Sequence, residues 1–413
     1  MMNEFEIDKL MQPLINRQEQ INMTILTKIA ERVKAINTIL PSDVYKLEQL
    51  LKTGEDVREI NRKIAELTRL QEKEIKKIIK TVAKDAYKDA KPYYDYRKKS
   101  FIPYEENVPL RNAVQSIMRV TLADYTNLSN STAFMWREPT NPLIVRPTTV
   151  SQTYQNVIDL GIQKVITGAG DYNSAIQDAL KQLVNSGGLK MCDNTQKVEY
   201  TSINGKKHYA RADTVVRRNI LDGIRDVLQT VQDITGKQFG ADGVEISVHQ
   251  YSAPDHEPIQ GHQFTNAEYD NIQTGQDFKD VNGIEFHKID RPIGLWNCRH
   301  FAWKIIVGQA TPNYTLKQLE EIKQKNADGI TVKDRNGNEV RKSMYWCTQR
   351  QRQYELSIRK AKEGKKVSEI ACDEKLQKEW QAKIVKLQNE YKVFCKESGL
   401  KTRFDKTKIY TDT

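Results

Sequence analysis

Val244-Glu245-Ile246-Ser247-Val248-His249 alternates apolar and polar side chains, the period-two pattern of a half-buried strand. Phe301-Ala302-Trp303-Lys304-Ile305-Ile306-Val307 is a second apolar run. The segment from Val244 to Trp303 holds five of the six histidines and one of the five cysteines. His249 ends the first run. His256 and His262 follow in a turn-rich stretch with Pro254 and Gln260-Gly261, and Trp296-Asn297-Cys298-Arg299-His300 enters the second run. A loop leaving one strand and a tetrad entering another meet at one end of a sheet, so a small α/β unit is expected here.

Upstream the chain reads as helix. Leu10, Leu14, Met23, Leu26, Ile29, Val33, Ile36 and Leu40 fall at helical spacing, and Pro41-Ser42-Asp43 breaks the run. Val57, Ile60, Ile64 and Leu67 form a further stripe that Ile75, Ile78, Ile79 and Val82 continue. Such stripes bury against neighbouring helices or against a partner, and docking of a protein partner on these N-terminal helices is the expectation. The heptad does not last the three or four repeats that a coiled coil needs. Between Lys91 and Pro109, Tyr93, Tyr94, Tyr96, Phe101 and Tyr104 alternate with Arg97, Lys98 and Lys99. Two readings are open: a base-stacking surface, or an ordered linker packed on its neighbours.

Residues 110–133 return to helix, and Pro139, Pro142 and Pro147 mark an irregular stretch. Helices over 150–165 and 173–185 and a hairpin around Asn204-Gly205 follow. A helix from Arg211 to Thr235 turns Ile220, Ile224 and Val231 to one side and carries Arg211, Arg217, Arg218 and Arg225. Beyond the second strand come a helix over 316–325, a turn at 334–338, and two basic helices over 345–362 and 374–398, the last capped by Gly399. The expected fold is α+β and mostly helical. It divides into a helical N-terminal region (1–109), a helical middle region (110–195), a central α/β domain (196–340) and a basic helical tail (341–413).

Only 38% of the 413 residues are hydrophobic and 29% are charged, a balance that suits long exposed helices beside one compact unit. No apolar run approaches the roughly 20 residues of a membrane span, and Met1-Met2-Asn3-Glu4-Phe5-Glu6 has no secretory pattern. Five scattered cysteines make no disulfide framework, so folding in a reducing cytoplasm is expected. The net charge is +11, and residues 341–413 hold 19 Lys and Arg against 10 Asp and Glu, a net of +9. That end of the chain is either a polyanion-binding surface, with DNA the foremost candidate, or a solvated helical face. On the DNA reading the contacts are Arg350, Arg352, Arg359, Lys360, Lys365 and Lys366.

His249, His256, Cys298 and His300 are ligand types that zinc takes, with His262 a spare. The alternative is a hydrogen-bonded loop network with Cys298 as a small buried hydrophobe. The enzymatic version is a metal-dependent, nuclease-like DNA-processing enzyme using the His249–His300 cluster, but the tetrad runs into a strand where that pattern requires strand-strand-helix. A Cys-His protease pairing of Cys298 lacks the helix N-terminus that lowers a thiol pKa. Gly168-Ala169-Gly170 is followed by Asp171 with no Gly-Lys-Ser/Thr, which excludes a packaging ATPase on motif grounds.

The run from His249 through Pro254 and His256, then Gln260-Gly261, then Asn297-Cys298-Arg299-His300, resembles the signature of the phage minor capsid protein family (minor capsid 2 type), related to Mu-F-like head morphogenesis proteins. Relatives have Gly-Ala-Arg where Tyr251, Ser252 and Ala253 stand here, Trp at Ile259 and Lys at His262. The resemblance continues at Tyr314–Leu319, Gln349–Gln353 and Tyr391–Cys395. It implies a non-enzymatic, low-copy virion component of a tailed bacteriophage. Such a protein is assembled in the host cytoplasm and built into the head near the portal. The implied partners are the portal, other head proteins and packaged double-stranded DNA.

Overall fold

A computed structural model describes residues 4–37, 53–132, 135–138, 141–147, 181, 190–191, 210–289, 291–294, 298, 300–333 and 338–410. Helices α1 (Glu4–Asn37), α2 (Thr53–Asp89), α3 (Lys91–Tyr96) and α4 (Val108–Thr132) come first. Strands β1 (Met135–Glu138) and β2 (Asn141–Pro147) pair antiparallel, as do β3 (Lys190–Met191) and β4 (Ala210–Arg211). The middle comprises α5 (Ala212–Phe239), β5 (Gly243–Ile246), β6 (Gln263–Thr265), α6 (Asn266–Thr274), β7 (Phe278–Lys279), β8 (Glu285–Phe286) and β9 (Ala302–Ile305). Helix α7 (Leu316–Ala327), the hairpin β10 (Ile330–Lys333) and β11 (Glu339–Lys342), α8 (Met344–Ile370) and α9 (Glu374–Ser398) follow. The fold is mostly helical α+β with small antiparallel sheets.

Helix α5 is the central post. Its Ile220, Ile224, Val227, Leu228 and Val231 are buried with Ile7, Met11 and Leu14 of α1, Ile75, Ile79 and Val82 of α2, and Leu110 and Val114 of α4. Burying each such side chain contributes on the order of 1.5–3 kcal/mol. Where the side chains are described, the α1 and α2 stripes are thus buried within the chain. The two stripes of α2 belong to one continuous helix, because no proline or cap interrupts them. Gly223 lets α4 close on α5, since a Cβ there would stand 2.4 Å from Thr121 Oγ1.

The sheet beside this bundle has the order β6-β5-β9, antiparallel throughout, with Val244 opposite Phe264 and Lys304. Strand β5 is shorter than its alternating pattern predicts. Both of its faces are covered, so Gly243, Val244, Glu245 and Ile246 are all buried. Glu245 is tolerated there because it accepts hydrogen bonds from Gln263 Nε2 at 2.8 Å and Asn313 Nδ2 at 2.6 Å. One face carries Ile246, Phe264, Ile272, Phe278 and Ile293 as a second core. On the α5 side, Lys304 N–H donates to Gln232 Oε1 at 3.0 Å.

Several expectations change in three dimensions. The aromatic linker is packed. Tyr87 stacks on Phe101 at 4.6 Å between ring centroids, Tyr93 stacks on Phe239 at 5.0 Å, and Tyr94 is buried in the same cluster. The proline-marked stretch after α4 forms the β1–β2 hairpin, with Pro147 at the outermost pair opposite Met135, a strand end that proline tolerates. The expected division after residue 340 falls inside β11. Helices α8 and α9 do not project as a tail: they pack on one another, and α8 also packs on α1. Buried Tyr391, Phe394 and Cys395 of α9 share a core with Cys347 and Ile358 of α8 and with Ile330 of β10. The helix expected over 150–165, the helix over 173–185 apart from Lys181, and the hairpin around Asn204-Gly205 lie outside the described residues. Among the described residues no helix is long and apolar enough to cross a membrane.

Candidate metal centre

The site lies where the β6-β5-β9 ladder ends. Beyond Ile246, the Ser247 N–H donates to the Phe301 carbonyl at 2.9 Å, and the Phe301 N–H donates to Ser247 Oγ at 2.9 Å. This holds the loop leaving β5 beside the segment entering β9. The loop then reverses through Tyr251, at φ 59°, and through a single 3₁₀ turn, Glu257–Ile259. It returns at Gly261, whose N–H donates to the Ile246 carbonyl at 2.8 Å. Glycine is required at 261: φ is +75°, and a Cβ would stand 2.5 Å from Leu319 Cδ2.

This reversal brings His256, Cys298 and His300 together, all buried, with one potential ligand atom from each within 4.8 Å of the others. Cys298 Sγ lies 3.1 Å from His256 Nδ1 and 3.5 Å from His300 Nδ1. The tautomers follow from the outer partners. His256 Nε2 lies 2.6 Å from the Arg291 carbonyl oxygen, which only accepts, so Nε2 carries the proton. Gln260 Oε1 accepts the His249 N–H at 3.0 Å, which fixes the orientation of that amide. The same oxygen lies 3.5 Å from His300 Nε2, so that nitrogen is also the donor. Both Nδ1 lone pairs are therefore turned toward one sulfur. Arg291 is held in turn by Asp255, with Nε–Oδ2 and Nη2–Oδ1 both at 2.9 Å.

Burial pushes the Cys298 thiol up, opposed by hydrogen bonds from the Gly294 and His300 backbone. Burial lowers the His256 pKa, partly offset by its hydrogen bond to the Arg291 carbonyl. Both effects favour neutral groups in a protein without a cation at the site.

The remaining expected ligands fall elsewhere. His249 sets its ring edge against His300 at 4.7 Å between centroids, but its Nε2 is 3.0 Å from Ser247 Oγ, outside the three-residue group. The spare, His262, is engaged with Asp280 at 2.9 Å. Pro254 is exposed in the turn, while Asn297 and Arg299 lie outside the described residues. Sequence reasoning missed Ser247, Asp255 and Arg291. Arg291 acts through its backbone carbonyl, and no residue-type pattern marks that role.

Of the cations expected to meet DNA, Arg352 is exposed, and Arg350 is exposed with its guanidinium 4.8 Å from the centre of the Tyr354 ring. Lys360 is half-buried, and Lys365 and Lys366 both lie 3.6 Å from the single carboxylate of Glu369. Arg359 differs. It turns inward to Glu19 of α1, because α8 packs on α1 along that face. Exposed lysines that the sequence did not single out stand on α9 at Lys375, Lys378, Lys383, Lys386, Lys392 and Lys396.

A protein-family model described as phage minor capsid protein 2 matches residues 2–396. No curated protein and no solved structure matches the chain. The match spans the helical bundle, the His/Cys loop and both C-terminal helices, and the chain belongs to the phage minor capsid protein 2 family.

Proposed function

We propose that the protein is a low-copy structural component of a tailed-phage head that sits against the portal and neutralises phosphates of the packaged double-stranded DNA. Its mechanism is contact without turnover. Family membership supports the capsid role. The observation that carries the DNA contact is the surface of α8 and α9. Arg350 and Arg352 are exposed there, Lys365 and Lys366 share one carboxylate and so retain net positive charge, and the α9 lysines face solvent. Arg359 is left out of this reading because its charge is answered internally by Glu19.

The test is fluorescence anisotropy of the full chain on a short DNA duplex across a salt series. Counterion release gives a slope of about 0.9 per neutralised phosphate. Replacing Arg350, Arg352, Lys365 and Lys366 by Gln is expected to weaken binding and flatten the slope. An unchanged slope removes these residues, and no binding at low salt removes the DNA contact. Co-expression with the cognate portal, followed by co-purification, tests the other half. Supercoiled DNA is expected to stay intact with added divalent metal; nicking that His256→Ala abolishes would restore the enzymatic reading.

A further inference from the structure

We propose that His256 Nδ1, Cys298 Sγ and His300 Nδ1 form a zinc site that staples the loop after β5 to the segment entering β9. The inference does not depend on the DNA or portal contacts proposed above.

The first argument is spacing. A tetrahedral zinc with Zn–N of about 2.0–2.1 Å and Zn–S of about 2.3 Å sets its nitrogen and sulfur ligands about 3.5 Å apart. The observed separations are 3.1 and 3.5 Å. The second argument is proton count. Each histidine has its Nε2 proton directed at a carbonyl oxygen, of Arg291 or of Gln260, so two Nδ1 lone pairs converge on one thiol. A cation bound by a thiolate would accept both lone pairs at once.

The third argument is the outer shell. Metal-binding histidines characteristically donate their other N–H to a carboxylate or carbonyl, and that is the arrangement here. The His300 N–H also lies 3.4 Å from the sulfur, positioned to stabilise a thiolate. Thiolate with imidazole selects zinc or a neighbouring borderline ion over magnesium or calcium. Among the described residues no fourth His, Cys, Asp or Glu joins the group. Three protein ligands leave one tetrahedral position for water or another ligand.

The experiment strips the full-length protein with chelator and titrates it with cobalt(II), a spectroscopic stand-in for zinc. One equivalent is expected to give the visible bands of a tetrahedral ion and a near-ultraviolet thiolate-to-cobalt charge-transfer band, both displaced by zinc. Cys298→Ser is expected to lose the charge-transfer band and His249→Ala to keep it. Gln260→Ala is expected to weaken zinc binding by about tenfold or more by freeing the His300 ring. X-ray absorption at the zinc edge is expected to give one sulfur and two nitrogen neighbours, a readout that needs no variant. Absence of stoichiometric binding by the unmodified protein overturns the site. So does a charge-transfer band that survives in a folded Cys298→Ser protein, or a zinc shell without sulfur.

Discussion

Arg403 grips Glu355 with both ends of its guanidinium: Nε donates to Oε1 at 2.8 Å and Nη2 donates to Oε2 at 3.0 Å. The pair ties the segment after α9 back onto the buried side of α8, where Tyr391 Oη also donates to Glu355 Oε1 at 3.0 Å. Removing the arginine strands a carboxylate that is 7% exposed. Loss of one partner of a fully buried pair costs about 3–5 kcal/mol. Arg403 itself is 36% exposed, which screens the pair. Arg403→Ala is therefore expected to lower unfolding stability by about 2 kcal/mol. Glu355→Gln is expected to cost less, because a neutral amide is left behind. Urea midpoints of the two variants measure the difference.

Gly364 of α8 faces the indole of Trp380 on α9, and a Cβ there would stand 2.5 Å from Cε2 and 2.7 Å from Cδ2. Alanine gains about 1 kcal/mol in helix propensity over glycine. Pushing a rigid buried ring aside costs about 1–3 kcal/mol. The clash wins, so Gly364→Ala is expected to lower the melting temperature. A melting temperature at or above the wild-type value would show that the two helices separate easily.

Asp280 is buried, which raises its pKa. Its hydrogen bonds from His262 and from the Ile284 and Asn282 backbone outweigh that, and the net shift is downward. A depressed carboxylate contributes stability that is complete above its unfolded value of about 3.9 and is lost as pH falls through the lower folded value. The wild-type protein is expected to lose this contribution below about pH 4. Asp280→Asn is expected to be less stable at neutral pH and to show a shallower decline on acidification. Urea midpoints across that range check the sign.

A ligand that binds only the folded state stabilises it by mass action, by about 2.7 kcal/mol at 100 times its Kd. Zinc is expected to raise the melting temperature of the stripped protein, and magnesium at the same concentration is expected to leave it unchanged. Protection from proteolysis is expected to concentrate in the loop between β5 and β6, because that loop carries His256.

Much of the helical architecture was legible because helical period is a local property. The stripes containing Ile75, Ile79 and Val82 on α2 and Ile220 and Ile224 on α5 mark the buried faces. Thr315, Ser343 and Asp373 accept first-turn N–H groups at the starts of α7, α8 and α9, and Gly399 ends α9 at φ 68°. The β1–β2 hairpin was not legible. Its prolines suppress the strand pattern, although the two strands are neighbours in the sequence and pair antiparallel. The linker aromatics were legible as a group, but their burial depended on Phe239, more than 130 residues away.

The sequence alone determined the α+β composition, the helix faces, the clustering of His256, Cys298 and His300 in one segment, and the family signature around them. All of these depend on residues close in the chain or on residue type. Tertiary structure decided which histidines converge, directed His262 to Asp280, and drew Arg359 inward to Glu19. It also packed the two basic helices on one another and set α8 against α1. Those outcomes depend on partners distant in sequence and on which way a backbone carbonyl points, and no local pattern of residue types encodes either.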